Sequence, residues 1–274
     1  MPDQQIEAPC PPEFVAFAHR LADAAGAAIR PHYRAGVAVE VKPDQSPVTV
    51  ADREAELAMR ALIEELYPSH GIIGEEFGRR GAEAEYVWVL DPIDGTRAFI
   101  TGRPLFGILV ALVRRGRPIL GIIDQPISAE RWVGAEGSAT TLNGAPARVR
   151  SCPELGAATL FTSAPEWFEG AREAAFLRLK AKVRMTCYNA DCYAFGLLAI
   201  GFADLAIECA LQPYDWCALV PVVEGAGGVI SDWQGRRLGL EGDGTVVAAG
   251  DAALHQAACE VLRKEGKKGS GLEC

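Results

Sequence analysis

Trp88-Val89-Leu90-Asp91-Pro92-Ile93-Asp94-Gly95-Thr96 is the stretch on which the reading of this chain turns. The apolar run Tyr86 to Leu90 predicts a compact strand, and it delivers two carboxylates, Asp91 and Asp94, across a proline-stiffened turn just ahead of a helix start. Burying two such acids without cations is costly. Hard divalent cations such as Mg²⁺ prefer oxygen ligands, so Asp91, Asp94 and the Ile93 carbonyl make a natural metal platform. Gly95 lets a backbone N–H approach closely, and Thr96 adds a hydroxyl where a phosphate would rest. The isolated D-P-x-D pattern also builds purely structural turns in which each Asp bonds its own backbone.

Working outward, a second acidic pair, Glu75-Glu76, follows the short apolar strand Gly71-Ile72-Ile73-Gly74; alone it would read as a solvated turn. Upstream, helical spacing predicts a first helix over 12–34, an extended run over 37–41, and a helix over 54–66 with Asp52 at or near its start. Downstream, the runs 106–113 and 119–123 flank Arg114-Arg115-Gly116-Arg117 as a hairpin of an antiparallel sheet. Strand 131–133 and the Asn143-Gly144 turn extend that region to about residue 150.

Beyond it the elements alternate: strands at 158–161, 183–185, 206–209 and 228–231, and helices at 171–179, 193–200, 215–224 and 252–263. The predicted organisation is an N-terminal α+β half over 1–150 holding most metal ligands, and a C-terminal α/β half over 151–266 holding substrate residues. Residues 267–274, containing Lys267-Lys268-Gly269-Ser270-Gly271, read as a flexible tail.

The bulk composition narrows the function class. The chain has 274 residues, 49% of them hydrophobic, and a formal net charge of -9. No long basic run offers a footprint for a nucleic-acid backbone, so an anionic ligand must be held by local devices. No stretch is apolar enough to span a bilayer and no secretory signal is evident, which predicts a soluble, cytoplasmic protein. The eight cysteines have no paired zinc-type spacing and are expected to be reduced thiols. His19, His32, His70 and His255 lie outside the acidic motifs and are expected at the surface or in structural roles. Trp88 and Trp132 are expected in the core.

Taken together and in order, the G-E-E segment at Gly74 to Glu76, the D-P-I-D-G-T segment at Asp91 to Thr96, and Tyr214-Asp215 followed by Gly225-Ala226-Gly227-Gly228 resemble the inositol-monophosphatase superfamily over nearly the whole chain. The resemblance implies a five-layer αβαβα sandwich, a homodimer and hydrolysis of a small-molecule phosphate monoester. It implies two Mg²⁺ ions, with a third, weaker one in some members. Glu75, Asp91 and the Ile93 carbonyl would hold one ion, and Asp91, Asp94 and Asp215 the other. Asp52 with Thr96 would orient and help deprotonate the attacking water, with Glu75 assisting. The phosphate would lie against Asp94, Gly95, Thr96 and Asp215.

Three further segments look like the histidinol-phosphate phosphatase branch: Gly95 to Gly107, Ile122 to Ile127 with Glu130-Arg131-Trp132, and Asp191 to Gly196 with Gln212 to Asp215. Histidinol phosphate carries an amine and an imidazole, which Asp191 and Glu208 would pair with. Asp191 as a helix N-cap and Glu208 as a strand-end surface acid are the plainer alternatives. Arg97 and Arg103 would reach the phosphate or a partner's site, or remain solvated. The rival activities are inositol-1-phosphate or broad sugar-phosphate hydrolysis. A non-catalytic metal-binding protein with the same fold is the reading from another class, which the full acidic set argues against.

Overall fold

The computed structural model describes residues 9–36, 38–41 and 47–263. The predicted tail 267–274, with Cys274, and Val37 of the extended run lie outside them. In chain order the first elements are α1 (Pro12–Ile29), β1 (Val39–Val41), β2 (Pro47–Thr49), α2 (Val50–Leu66), β3 (Gly71–Gly74), β4 (Gly78–Arg80), β5 (Tyr86–Asp94) and α3 (Thr96–Ile100). Next come β6 (Gly107–Arg114), β7 (Arg117–Gln125), β8 (Glu130–Ala135), β9 (Thr141–Leu142), β10 (Ala145–Pro146) and β11 (Thr159–Thr162). The chain continues with α4 (Ala171–Lys180), β12 (Met185–Tyr188), α5 (Asp191–Ala199), β13 (Leu205–Glu208), α6 (Pro213–Trp216), α7 (Leu219–Gly225), β14 (Val229–Ser231), β15 (Val246–Ala249) and α8 (Ala252–Arg263).

Two sheets organise these elements. The first has eight strands in the order β10-β9-β8-β7-β6-β5-β3-β4, antiparallel except for the β3/β5 pair. The second has five strands in the order β12-β11-β13-β15-β14, parallel at β12/β11/β13 and antiparallel beyond. Helices α1 and α2 cover the outer face of the first sheet, α5, α6 and α7 contact its inner face, and α5 and α7 also contact the second sheet. Helices α4 and α8 pack together, with α8 on the second sheet. The expected five-layer αβαβα sandwich is therefore present.

Burial on both sides explains why the strands read as continuous apolar runs. Trp88 and Leu90 of β5, with Ile108, Val110 and Leu112 of β6, face α1 and α2. Val87, Val89, Leu109, Ala111 and Val113 face the middle helices. In the second sheet Leu205, Ile207 and Val247 face α4 and α8, while the small Ala206 and Ala248 face inward. The two tryptophans assigned to the core, Trp88 and Trp132, are fully buried.

Several expected boundaries move, each for a local reason. The first helix stops at Ile29 rather than running to residue 34, because Pro31 has no N–H to continue the ladder and the chain tightens into a 3₁₀ turn at Arg30–His32. Helix α2 begins at Val50, not 54, since Thr49 and Asp52 form a capping box. The helix expected over 215–224 is two helices, α6 and α7, because Pro221 fits only in the first turn of a helix. The strand expected at 86–90 continues to Asp94 through an irregularity between Asp91 and Asp94. Strand β12 lies at 185–188 rather than 183–185, where it pairs in register with β11. Strand β15, a buried four-residue run without alternation, carries no sequence signal that separates it from a helix fragment.

Helix α7 comes close enough to the first sheet that a Cβ at Gly134 of β8 would lie 2.2 Å from the Pro221 carbonyl oxygen. Gly134→Ala is expected to destabilise the fold by about 1–3 kcal/mol through overpacking against backbone. Urea unfolding measures this, and an unchanged midpoint would contradict the close contact.

Candidate active site

Strand β5 carries Asp91 to the centre of the molecule, where its side chain is 1% exposed. Carboxylate oxygens of Asp91, Asp94 and Asp215 all lie within 4.8 Å of one another. Asp91 Oδ1 accepts from the Ile93 N–H at 3.0 Å, which closes the Asp-Pro turn. Asp94 Oδ2 accepts from the Cys192 N–H at 2.6 Å, tying the end of β5 to the start of α5. Asp215 occupies the third position of α6 and accepts from the Gln212 N–H at 2.6 Å, so a capping box aims it back at β5. Glu75 follows β3, and its N–H donates to the Leu90 carbonyl at 3.2 Å, beside Asp91.

The electrostatics reflect this crowding. Burial, then the neighbouring Glu75, Asp94 and Asp215, push the Asp91 carboxyl well above the usual range. Burial and Asp94 do the same to Asp215. Burial, and after it the charge of Asp191, raises Asp94 to about 7. Side-chain hydrogen bonds link Asp91 to both Glu75 and Asp215. An all-oxygen donor set of this density fits a hard divalent cation such as Mg²⁺.

Asp52 is fully buried at the third position of α2. Its Oδ2 accepts from the Thr49 N–H at 2.8 Å and from the Thr49 hydroxyl at 2.6 Å, whereas Oδ1 has no hydrogen-bond partner. Burial raises this carboxyl to about 6. The hydroxyl that Asp52 bonds within the fold is that of Thr49. Thr96 Oγ1 donates to the Ile93 carbonyl at 3.1 Å, which leaves that oxygen a second lone pair for an ion.

A cavity of about 310 Å³ opens beside the cluster, and Glu75, Asp94, Gly95, Thr96, Asp215, Asp191 and Glu208 are among the residues that line it. Gly95 has a φ of +84°, and a Cβ there would lie 2.9 Å from Asp191 Oδ2, so both conformation and space require glycine. Asp191 is not the N-cap of α5, which is Ala190; it is the first helical residue and holds a φ of +43°. Burial raises its carboxyl, while Ser163, Arg103 and Arg97 pull it down. Glu208 is not a surface acid: it is 4% exposed, and its Oε1 accepts from the Ser163 N–H at 2.6 Å and the Ser163 hydroxyl at 2.8 Å. Burial raises Glu208 well above the carboxylate range.

Arg97, which is exposed, and the half-buried Arg103 both line this cavity. The Arg97 guanidinium lies 4.2 Å from the ring centroid of Trp167, an indole 39% exposed, a cation–π contact that joins α3 to the loop after β11. Ser163 and Trp167 escaped sequence reasoning, since a serine at a strand end and an aromatic in a loop carry no spacing signal. The histidines sit elsewhere: His32 pairs with Glu54, His70 accepts from Trp88 Nε1, His19 meets Arg131, and His255 meets Ser231. The seven cysteines among the described residues are free thiols, Cys187 and Cys192 included.

Residues 11–267 match the sequence profile of the inositol monophosphatase family. A protein of Arabidopsis thaliana named bifunctional phosphatase IMPL2, chloroplastic, is 52% identical over 91% of this chain and 75% of its own length. A histidinol-phosphatase of Chlorobaculum parvum is 36% identical over 85% of this chain and 90% of its own. Among solved structures, an inositol monophosphatase from Zymomonas mobilis superposes with a TM-score of 0.85 at 49% identity, covering 92% of this chain and 98% of that one.

The raised acids make a signed pH prediction. A native pKa above the ordinary 3.8 means that the folded state keeps protons which the unfolded chain has released, so stability present below about pH 4 is lost as pH rises through 6 for Asp52 and 7 for Asp94. His19, His70 and His255, lowered by burial, act in the opposite sense, so the comparison must be internal. Metal-free Asp94→Asn protein is expected to melt above metal-free wild type at pH 8 and to lose that advantage by pH 5. Equal melting differences at both pH values would contradict the burial of an ionised Asp94.

Proposed function

The chain belongs to the inositol monophosphatase family of metal-dependent phosphatases, which act on small phosphate monoesters, and within it we propose that this chain is a histidinol-phosphate phosphatase. The reaction would convert L-histidinol phosphate and water to L-histidinol and phosphate, a step of histidine biosynthesis. The observation that carries the reading is a pair of carboxylates in the lining of the cavity beside the acidic cluster, the buried Glu208 and the half-buried Asp191. Burial raises both carboxyls, and an incoming ammonium or imidazolium would favour their charged forms. A neutral polyol offers no such compensation.

Glu75, Asp91, Asp94, Asp215 and the Ile93 carbonyl would hold two Mg²⁺ ions, with a third a further member of the proposal. Bound there, the ions would supply positive charge to the phosphate and lower the pKa of water. The chain's own residues do the remaining work. Asp52, whose Oδ1 has no partner in the fold, would take a proton from the attacking water. Thr96 would fix the Ile93 carbonyl and present its hydroxyl to the phosphate side of the cavity. Gly95 admits the ester close to backbone, and Arg97 with Arg103 would add charge at the cavity wall.

A second reading, inositol-1-phosphate hydrolysis, is favoured by the name of the Zymomonas mobilis structure at 49% identity, and the word bifunctional in the Arabidopsis relative's name allows more than one substrate. A cytoplasmic location and a homodimer complete the proposal. Free thiols at all seven described cysteines support a reducing compartment, although the Arabidopsis relative is chloroplastic by name.

Phosphate release from L-histidinol phosphate and inositol-1-phosphate in parallel, with Mg²⁺ and with a chelator, is the deciding assay. Preference for histidinol phosphate, abolished by the chelator and by Asp94→Asn, is expected; preference for inositol phosphate would overturn the substrate while keeping the chemistry. Asp191→Asn and Glu208→Gln are each expected to lower kcat/KM for histidinol phosphate by roughly 10–100-fold, the range of one lost charged hydrogen bond. Their effect on inositol-1-phosphate should be smaller, and equal losses on both esters would remove the amine-reading role.

A further inference from the structure

The residues of the acidic cluster are held by backbone, and Glu75 stands in a turn with β3 on one side and an exposed strand, β4, on the other. A turn of that kind is ordinarily mobile. Here its backbone is pinned on both sides of Glu75. Upstream, the Glu75 N–H donates to the Leu90 carbonyl. Downstream, the next two N–H groups, of Glu76 and Phe77, donate to a single carboxylate: Glu76 to Glu56 Oε2 at 2.7 Å, and Phe77 to Glu56 Oε1 at 3.2 Å.

That carboxylate is built into the fold. The Glu56 side chain is 0% exposed and Oε1 also accepts from Arg60 Nε at 2.7 Å, within one turn of α2. Arg60 Nη2 in turn donates to the Gly78 carbonyl, so the pair spans the turn from Glu76 to Gly78. Gly74 completes the arrangement, because a Cβ there would lie 1.9 Å from Glu56 Oε1. A buried ion pair adds little net stability over apolar packing of the same shape. Its use here is geometric: two oxygens receive two successive amides, which no apolar side chain would do.

We propose that Glu56 is a positioning residue that sets the Glu75 carboxylate at the metal cluster, so that α2 controls the site twice, directly through Asp52 and indirectly through Glu56. The two residues are four apart and both buried, on one face of the helix. The inference rests on the assignment of Glu75 as a metal ligand and extends it to a residue outside the acidic motifs.

Calorimetric titration of Mg²⁺ into the metal-free protein tests it, with Glu56→Gln, Glu75→Gln and, as a control on the same helix, Glu64→Gln, whose half-exposed side chain pairs with Arg80. Glu56→Gln is expected to weaken Mg²⁺ binding by roughly 10–100-fold, the usual effect of losing an outer-shell partner of a metal ligand. Glu75→Gln should weaken it at least as much, and Glu64→Gln should leave it unchanged. Phosphate release by Glu56→Gln should fall at limiting Mg²⁺ and recover most of its loss as Mg²⁺ is raised, with KM for the ester unchanged. Should Glu56→Gln fail to fold, Gly74→Ala, which displaces the same carboxylate, and the double variant Glu56→Gln/Arg60→Met, which removes both charges, are titrated instead. Unchanged Mg²⁺ affinity in a folded Glu56 variant, with Glu75→Gln weakened, would overturn the positioning role. Unchanged affinity in Glu75→Gln would instead overturn the ligand assignment on which the role rests.

Discussion

Carboxylate oxygens within 4.8 Å of one another, carried by the buried Asp91 and the half-buried Asp94 and Asp215, repel. At an effective dielectric of about 20, each such pair of charges costs roughly 3 kcal/mol. The molecule meets this either by sharing protons among the acids or by admitting cations, and only the second leaves the carboxylates charged at neutral pH. The placement of Glu75 and Asp215, the glycine at residue 95 and the capping boxes at Thr49 and Gln212 all serve to hold acids together that would otherwise move apart.

Rigidity for that purpose comes from burial on both faces of the first sheet. Strand β5 alternates Trp88 and Leu90 toward one helical layer with Val87 and Val89 toward the other, so its register has no freedom to slip. The strand then runs on past its apolar section to Asp94, and the polar end inherits the position of the apolar part. Each remaining acid is delivered by a short helix start or turn docked against this strand. A single helix, α2, carries both Asp52 and Glu56, so its packing on β5 registers the candidate base against the turn of Glu75.

Elsewhere in the cavity lining the backbone itself is strained. Asn189, Asp191 and Ala210 all line the cavity with positive φ values of 65°, 43° and 61°. Such conformations cost of order 1–3 kcal/mol each and persist where the surroundings over-determine them. At Asp191 the Asp94 to Cys192 hydrogen bond and the contact with Gly95 supply that over-determination, and they join the end of β5 to the start of α5. The Arg97 and Trp167 stack adds a second join at the cavity mouth, between side chains 70 positions apart in sequence.

What the residues declare by themselves is local. The strand ending in Asp91, the turn to Asp94, the helix start at Asp52 and the pairing hairpin at 107–125 follow from apolar runs, proline and glycine, whose effects reach only a few residues. The motifs read in order, and not the spacing of any one, carry the resemblance to the family. Tertiary structure alone decided that Glu208 would be buried on Ser163 and that Arg97 would lie on Trp167. It also decided that a glutamate read only as part of a helical run, Glu56, would hold the turn of Glu75 from inside the fold. The physical reason is that hydrogen-bond partners of buried side chains are chosen by which backbone amides the packing brings within reach, and that distance is not written in any local pattern.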